Sequence, residues 1–274
     1  MNCYTHSQVA TLATEVFAHI RIEIQLHTLI ITLARPKAKN AMSPTMIREY
    51  AYALAYAHYM PDIWAVIFRA EGDVWCAGMD LKAMKGQEEP TNSTIPLPTG
   101  ELVIAELFRQ VHKPIIAEVE APVYAGGLLL VGSAHYVVAT QEAKFGLPEV
   151  KRGLFPFQVM AMLLPNLPPH KVLDWCMRGR VLTAQEATDW GLITHLVGKE
   201  EVQNTVNTLL SDLFDNSPAA IRMGLQAFDE MRHVADNERQ SYLKQVFEQT
   251  AQTTDAQEGM QAFIDKRKPV WTGK

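Results

Sequence analysis

The run Tyr124-Ala125-Gly126-Gly127-Leu128-Leu129-Leu130 sets the architecture expected for this chain. It follows a buried, strand-like stretch, Ile115–Val119, and opens Gly127–Ala134, a helical segment that is apolar nearly all round. Strand, glycine turn and buried helix, followed by another strand-like run at Tyr136–Ala139, predict an α/β core. The turn leaves the Gly126 N–H as an unpaired donor near a helix start, and the absent Cβ lets a ligand approach the backbone. Taken alone, the two glycines favour an ordinary tight turn.

Working outward, the same alternation recurs. Phe17–Ile24 and Thr28–Leu33 read as a hairpin around Gln25-Leu26-His27, and Arg35–Asn40 as a basic loop. Ser43 and Pro44 open a helix to about Tyr59, stopped by Pro61. Ile63–Arg69 is strand-like and leads to a second glycine turn, Cys76-Ala77-Gly78-Met79-Asp80. Gly86–Gly100, with three prolines, reads as a mobile loop, and Glu101–Val111 as a helix. Thr183-Ala184-Gln185-Glu186 matches a capping box for a helix ending at Gly191, before the strand Leu192–Val197. From Glu200 onward the pattern is helical: Glu201–Phe214, Pro218–Arg232, Asn237–Thr250 and Asp255–Lys266. The expected division is an N-terminal extension (1–16), an α/β core (17–198) and a helical region (199–274).

A chain of 274 residues with 48% hydrophobic residues has enough apolar material for a sizeable core. A net charge of -5 removes the global basic footprint of a nucleic-acid binder. Cys3, Cys76 and Cys176 have no metal-ligand or disulfide-framework spacing, which suggests a reducing, cytoplasmic setting. No apolar run approaches the roughly 18–20 residues needed to span a bilayer, so no membrane role is expected. No metal site is expected from the scattered histidines, and HExxH, Gly-x-Ser-x-Gly and nucleotide-loop motifs are missing.

The chemistry-bearing acid is Glu149, in Phe145-Gly146-Leu147-Pro148-Glu149-Val150. A surface acid paired with Lys151 or Arg152 is one explanation. Taken alone that explanation is the stronger, but the apolar neighbours leave room for another, in which desolvation raises its pKa and fits it for proton transfer. Two glycine turns upstream, at Gly78 and Gly126, offer two amides to one oxyanion. Cys76, beside the first turn, has no base partner and reads as a packing residue.

These runs together resemble the crotonase superfamily, which includes enoyl-CoA hydratases and isomerases, over roughly residues 20–270. The resemblance rests on six ordered runs: Leu33–Met42, Trp75–Lys82, Lys113–Ala117, Ala125–Gly127, Phe145–Glu149 and Gly191–Ile193. The ending Phe263–Lys268 is also similar. It implies a spiral of ββα repeats with a C-terminal α-helical region that forms a homotrimer or a dimer of trimers. It implies an acyl-CoA thioester as substrate, with no cofactor beyond the coenzyme A that the substrate carries. The Met79 and Gly126 amides would bind the thioester oxygen, and Glu149 would be the base. The Ala77 carbonyl would face the adenine. Lys37, Asp80, Leu81, Lys82 and Gly127 would line the substrate site, and Lys266 or Lys268 would reach a phosphate.

The departures bear on the reaction. Hydratases of the best-known type place a second glutamate where this chain has Leu129, so a single base favours Δ3,Δ2 double-bond isomerisation. The alternatives are hydration with a non-standard second acid and non-catalytic acyl-CoA binding. An RNA-associated scaffold is disfavoured by the acidic charge. Thioester hydrolysis, dehalogenation and decarboxylation rank third on the same scaffold. Glu118 and Glu120 are spare carboxylates on a strand, and Ala121-Pro122 is expected to alter the turn holding Gly126.

Overall fold

The computed structural model describes residues 1, 3–88 and 90–274. Among the described residues nine strands follow in chain order: β1 (Ile20–Gln25), β2 (Thr28–Leu33), β3 (Ala65–Ala70), β4 (Ile115–Val119), β5 (Val123–Tyr124), β6 (Tyr136–Thr140), β7 (Lys144–Gly146), β8 (Val181–Thr183) and β9 (His195–Val197). Six of them form the main sheet in the order β1-β2-β3-β4-β6-β9. β1 pairs antiparallel with β2 from Ile20↔Leu33 to Gln25↔Thr28, and every later pairing in this sheet is parallel. Parallel strands are covered on both faces, and β2 and β4 are accordingly buried at every position.

One face carries the large core, which takes Ile115, Ala117 and Val119 from β4 together with Leu128–Val131. On the other, Ile30, Ile67, Ile116 and Val138 pack against Val202 and Val206 of the helix Val202–Phe214.

A smaller sheet, β5-β7-β8, runs beside the first. Two isolated bridges, Met42↔Met79 and Cys76↔Val123, extend it toward the N-terminal side. Main-sheet strands β3, β4 and β6 each lead into a segment of this second layer: Cys76–Met79, β5 and β7 respectively. This repetition is the superhelical ββα spiral. It has no counterpart as a sequence period, because the second-layer segments are only two to four residues long.

Local chemistry explains the main helices. Ser43 Oγ accepts the Met46 N–H at 3.2 Å to open helix Pro44–Tyr59. Thr183 and Glu186 exchange capping bonds at 3.2 and 2.9 Å, and Gly191 (φ 88°) ends that helix at Trp190. Helices Phe157–Leu163 and Pro169–Arg178 occupy a proline-broken stretch to which the sequence pattern assigns no element.

The N-terminal residues bury Cys3, Tyr4, Val9 and Leu12 in the main core. They also hold the proline-bearing loop: Tyr4 OH donates to Pro96 O at 3.0 Å, and Val16 and Thr94 exchange bonds of 2.8 and 3.0 Å. That loop, expected to be mobile, is thus tied at several points and buries Ile95. The C-terminal helices are Val202–Phe214, Pro218–Glu230, Arg239–Thr250 and Thr254–Asp265. Arg239–Thr250 buries none of its residues, and Phe247 and Phe263 stand 73% and 86% exposed. Among the described residues no helix is long and apolar enough to cross a membrane.

Candidate active site

Two short ladders bring the glycine turns together. Met42 N–H donates to Gly78 O at 2.7 Å, and Asp80 N–H donates to Met42 O at 2.9 Å. In this pairing the intervening Met79 N–H faces away from Met42. On the neighbouring segment Tyr124 N–H donates to Cys76 O at 2.8 Å, and Trp75 N–H donates to Pro122 O at 2.9 Å. The Ala121-Pro122 oddity therefore leaves the turn fully tied. Neither the Met79 nor the Gly126 N–H has an acceptor among the described residues.

The glycines are there for close approach. Gly78 has φ 93°, and a Cβ on it would lie 2.7 Å from Ala125 Cβ and 3.0 Å from Gly126 N. Gly127 would meet Cys76 Cβ at 2.9 Å. Gly126 itself has an ordinary φ of -56°; the left-handed residue of the turn is Ala125, at φ 51°. Non-glycine backbone carries the left-handed conformation of this turn, a strain kept where neighbours over-determine the geometry.

Glu149 arrives from the next rung. Ala125 N–H donates to Gly146 O at 2.8 Å, so the chain beyond β7 runs alongside the Ala125-Gly126 turn. Pro148–Arg152 forms a single 3-10 turn, closed by Gly153 at φ 76°. The Glu149 carboxyl is half-buried, and its Oε2 is shielded from solvent without a hydrogen-bond partner. Burial pushes its pKa above the ordinary carboxylate value, opposed by its own backbone N–H and by Arg152. Lys151 and Arg152 are exposed and form no ion pair with it among the described residues. The surface-acid explanation has no ion pair among the described residues to support it.

Leu129 is 3% exposed and belongs to the main core. The spare acids lie elsewhere. Glu118 shares the β4 face of Ile116, opposite the core that holds Leu128 and Leu129, and burial raises its pKa to about 6. Glu120 lies 3.8 Å from Lys199. Cys76 is fully buried, its thiol donates to Asn40 O at 3.2 Å, and burial pushes its pKa to about 12. It is a packing residue. No cluster of metal-ligating side chains occurs among the described residues.

The remaining predicted residues divide in two. Ala77 N–H donates to Lys39 O at 3.0 Å, which sets the basic loop against the first turn. Lys37, Leu81 and Lys82 are exposed at this edge. Asp80 is mostly shielded and accepts from Arg35 at 2.5 Å and from the Lys82 and Ala83 N–H groups at 3.0 and 3.1 Å. Arg35, which sequence reasoning did not single out, also donates to Ala41 O at 3.0 Å. It thus links both sides of the Met42–Met79 bridge. Lys266 and Lys268 are exposed just after helix Thr254–Asp265, and no hydrogen bond or ion pair joins them to the turns of Met79, Gly126 or Glu149.

Comparison with known proteins bears on the family and the fold. The family model described as enoyl-CoA hydratase/isomerase matches residues 23–274. The chain is 35% identical over 251 residues to enoyl-CoA hydratase EchA19 of Mycobacterium tuberculosis, covering 90% of this chain and 94% of that protein. It is 32% identical over 254 residues to a carnitinyl-CoA dehydratase of Salmonella agona, covering 90% and 95%. Among solved structures, an enoyl-CoA hydratase from Mycobacterium tuberculosis superposes with a TM-score of 0.81 at 30% identity, covering 94% of this chain and all of that one.

Proposed function

The chain belongs to the enoyl-CoA hydratase/isomerase family of the crotonase superfamily, and on that premise we propose that it moves the double bond of an enoyl-CoA thioester from C3 to C2. The observation that carries this reading is the one shielded, unpartnered carboxylate oxygen among the described residues. Glu149 presents a shielded, unpartnered oxygen, and Leu129 occupies the place of a second acid. Glu149 takes a proton from C2 of a 3-enoyl-CoA. The negative charge passes to the thioester oxygen, where the Met79 and Gly126 amides receive it. The protonated Glu149 then returns the proton to C4, leaving the conjugated 2-enoyl-CoA. Its raised pKa suits both halves of this cycle.

In the same reading Ala77 O faces the adenine, and Asp80, Leu81 and Gly127 line the path to the thioester. Lys37 and Lys82 meet the phosphates at the exposed edge. Lys266 and Lys268 would contribute from a second copy of the chain, since within one chain they stand apart from the turns. A homotrimer or dimer of trimers, formed through the exposed apolar surface of the C-terminal helices, is part of this proposal.

Hydration is the second reading, favoured by the relatives' names, hydratase and dehydratase. One assay separates the two. Offered 3-enoyl-CoA, the protein should generate conjugated-thioester absorbance. Offered 2-enoyl-CoA, a hydratase would destroy that absorbance. Loss with the second substrate and no gain with the first would overturn isomerisation.

A further inference from the structure

A cavity of about 230 Å³ lies on the seam between the core and the C-terminal helices. His58, Trp64, His112, Lys113, Arg222 and Lys274 are among its lining residues, whereas Met79, Gly126 and Glu149 are not. Lys113 is 5% exposed, and its ammonium donates to the carbonyls of Ala57 and Met60 at the end of helix Pro44–Tyr59. An ammonium has three donors, so one remains. Arg222, on helix Pro218–Glu230, is half-buried and makes no hydrogen bond or ion pair among the described residues.

A guanidinium without a partner beside a buried ammonium is unfavourable unless an anion joins them. Among the described residues no carboxylate lies within ion-pair distance of Lys113 or Arg222, although Asp62 acts on Lys113. Burial, then Arg222, lowers the Lys113 pKa to about 7, and Asp62 alone opposes this. His58 falls to about 4 through burial, then the N-terminal ammonium, His112 and Lys113. His112 is lowered by burial, the N-terminal ammonium and Arg222, against Asp229 and Glu230. Both of those acids already have partners: Asp229 lies 3.4 Å from Arg109, and Glu230 accepts from Gln226 and Tyr242.

We propose that this cavity is a phosphate site, holding a tetrahedral oxyanion between Arg222 and Lys113. The guanidinium fork matches two oxygens of such an anion, and the free Lys113 donor meets a third. The volume lies below the usual range of about 300–1,000 Å³ for drug-sized ligands and suits a phosphate ion or a phosphate group at a ligand's end. Bound there, the anion joins Lys113 of the core to Arg222 of the helical region and clamps the two together. It also favours protonated Lys113, so binding takes up a proton and weakens as pH rises above about 7.

The test is thermal unfolding of the full chain in inorganic phosphate, against sodium chloride of matched ionic strength. The site predicts a saturable rise in Tm with phosphate alone. Arg222→Gln should weaken the apparent affinity roughly tenfold or more, with Arg222→Lys intermediate and the circular dichroism of both unchanged. Sulfate, whose charge is constant from about pH 6 to about pH 8.5, should bind more tightly at the lower value. Coenzyme A as the probe separates the sources: protection lost in Arg222→Gln assigns the site to the substrate's phosphate, and protection retained assigns it to the free ion. Equal stabilisation by chloride, or a phosphate response unchanged in Arg222→Gln, overturns the proposal. So does a change in oligomeric mass in Arg222→Gln when the wild type shows no phosphate response, which would pair the guanidinium with a second copy.

Discussion

Glu149 combines a position and an environment. The position comes from the hydrogen bond between Ala125 N–H and Gly146 O, and the environment from burial that leaves Oε2 without a partner. Glu149→Gln keeps the shape and removes the proposed base, so turnover should fall roughly 10²–10⁴-fold while acyl-CoA binding measured by calorimetry persists. Turnover within twofold of wild type would remove Glu149 from the mechanism. The pH profile carries a second check. Because burial raises this carboxyl's pKa, kcat/KM should rise with pH along a limb centred above the ordinary carboxylate value. Stability has the opposite sign. A raised folded-state pKa favours the protonated form, so the wild type's advantage over Glu149→Gln should be full at acid pH and decline as pH rises through that pKa.

At the scale of elements, the paired turns behave as one unit. Gly78 and Ala125 both lie at positive φ, and the Cβ missing from Gly78 is what lets the two turns meet. Gly78→Ala adds an atom at 2.7 Å from Ala125 Cβ in a left-handed conformation. It should cost about 1–3 kcal/mol in stability and lower kcat more than it raises KM, because it displaces the Met79 and Gly126 amides that are proposed to receive the developing charge. Denaturant unfolding and steady-state kinetics measure both effects, and a wild-type kcat would separate the turns from the chemistry. Capping explains why helices Pro44–Tyr59 and Ala184–Trp190 are legible in the sequence, since Ser43 and Thr183 act within one turn of themselves. β5, β7 and β8 are two or three residues long and become strands only by pairing with distant segments, so no local period announces them.

Across the whole molecule, Asp255 fastens the C-terminal helices. It is fully buried and accepts from Ser217, Ala219, Thr272 and Gly273 at 2.8–3.3 Å, joining three segments. Burial acts to raise its pKa, yet these donors prevail and hold it below the ordinary value. Its stabilisation is therefore present above the unfolded carboxylate pKa and lost as pH falls through the lower folded one. Asp255→Ala should cost roughly 3 kcal/mol near neutrality, with a smaller deficit under acid conditions, as thermal unfolding across pH would measure. A deficit that does not change with pH would show that packing, not charge, fastens this region.

The α/β alternation, the capped helices, the helical C-terminal region and the choice of Glu149 as the acid to watch are all legible along the chain. Each rests on contacts within a few residues or on a motif of fixed order. Only the tertiary structure decided which face each acid occupies, and so separated Glu149 from Glu118 and Glu120. It alone showed that Ala125 carries the left-handed turn, that Arg35 links the loop to Asp80, and that Lys113 and Arg222 line one cavity at the seam. These facts depend on pairings between residues tens of positions apart, and burial at such a distance leaves no periodic trace along the chain.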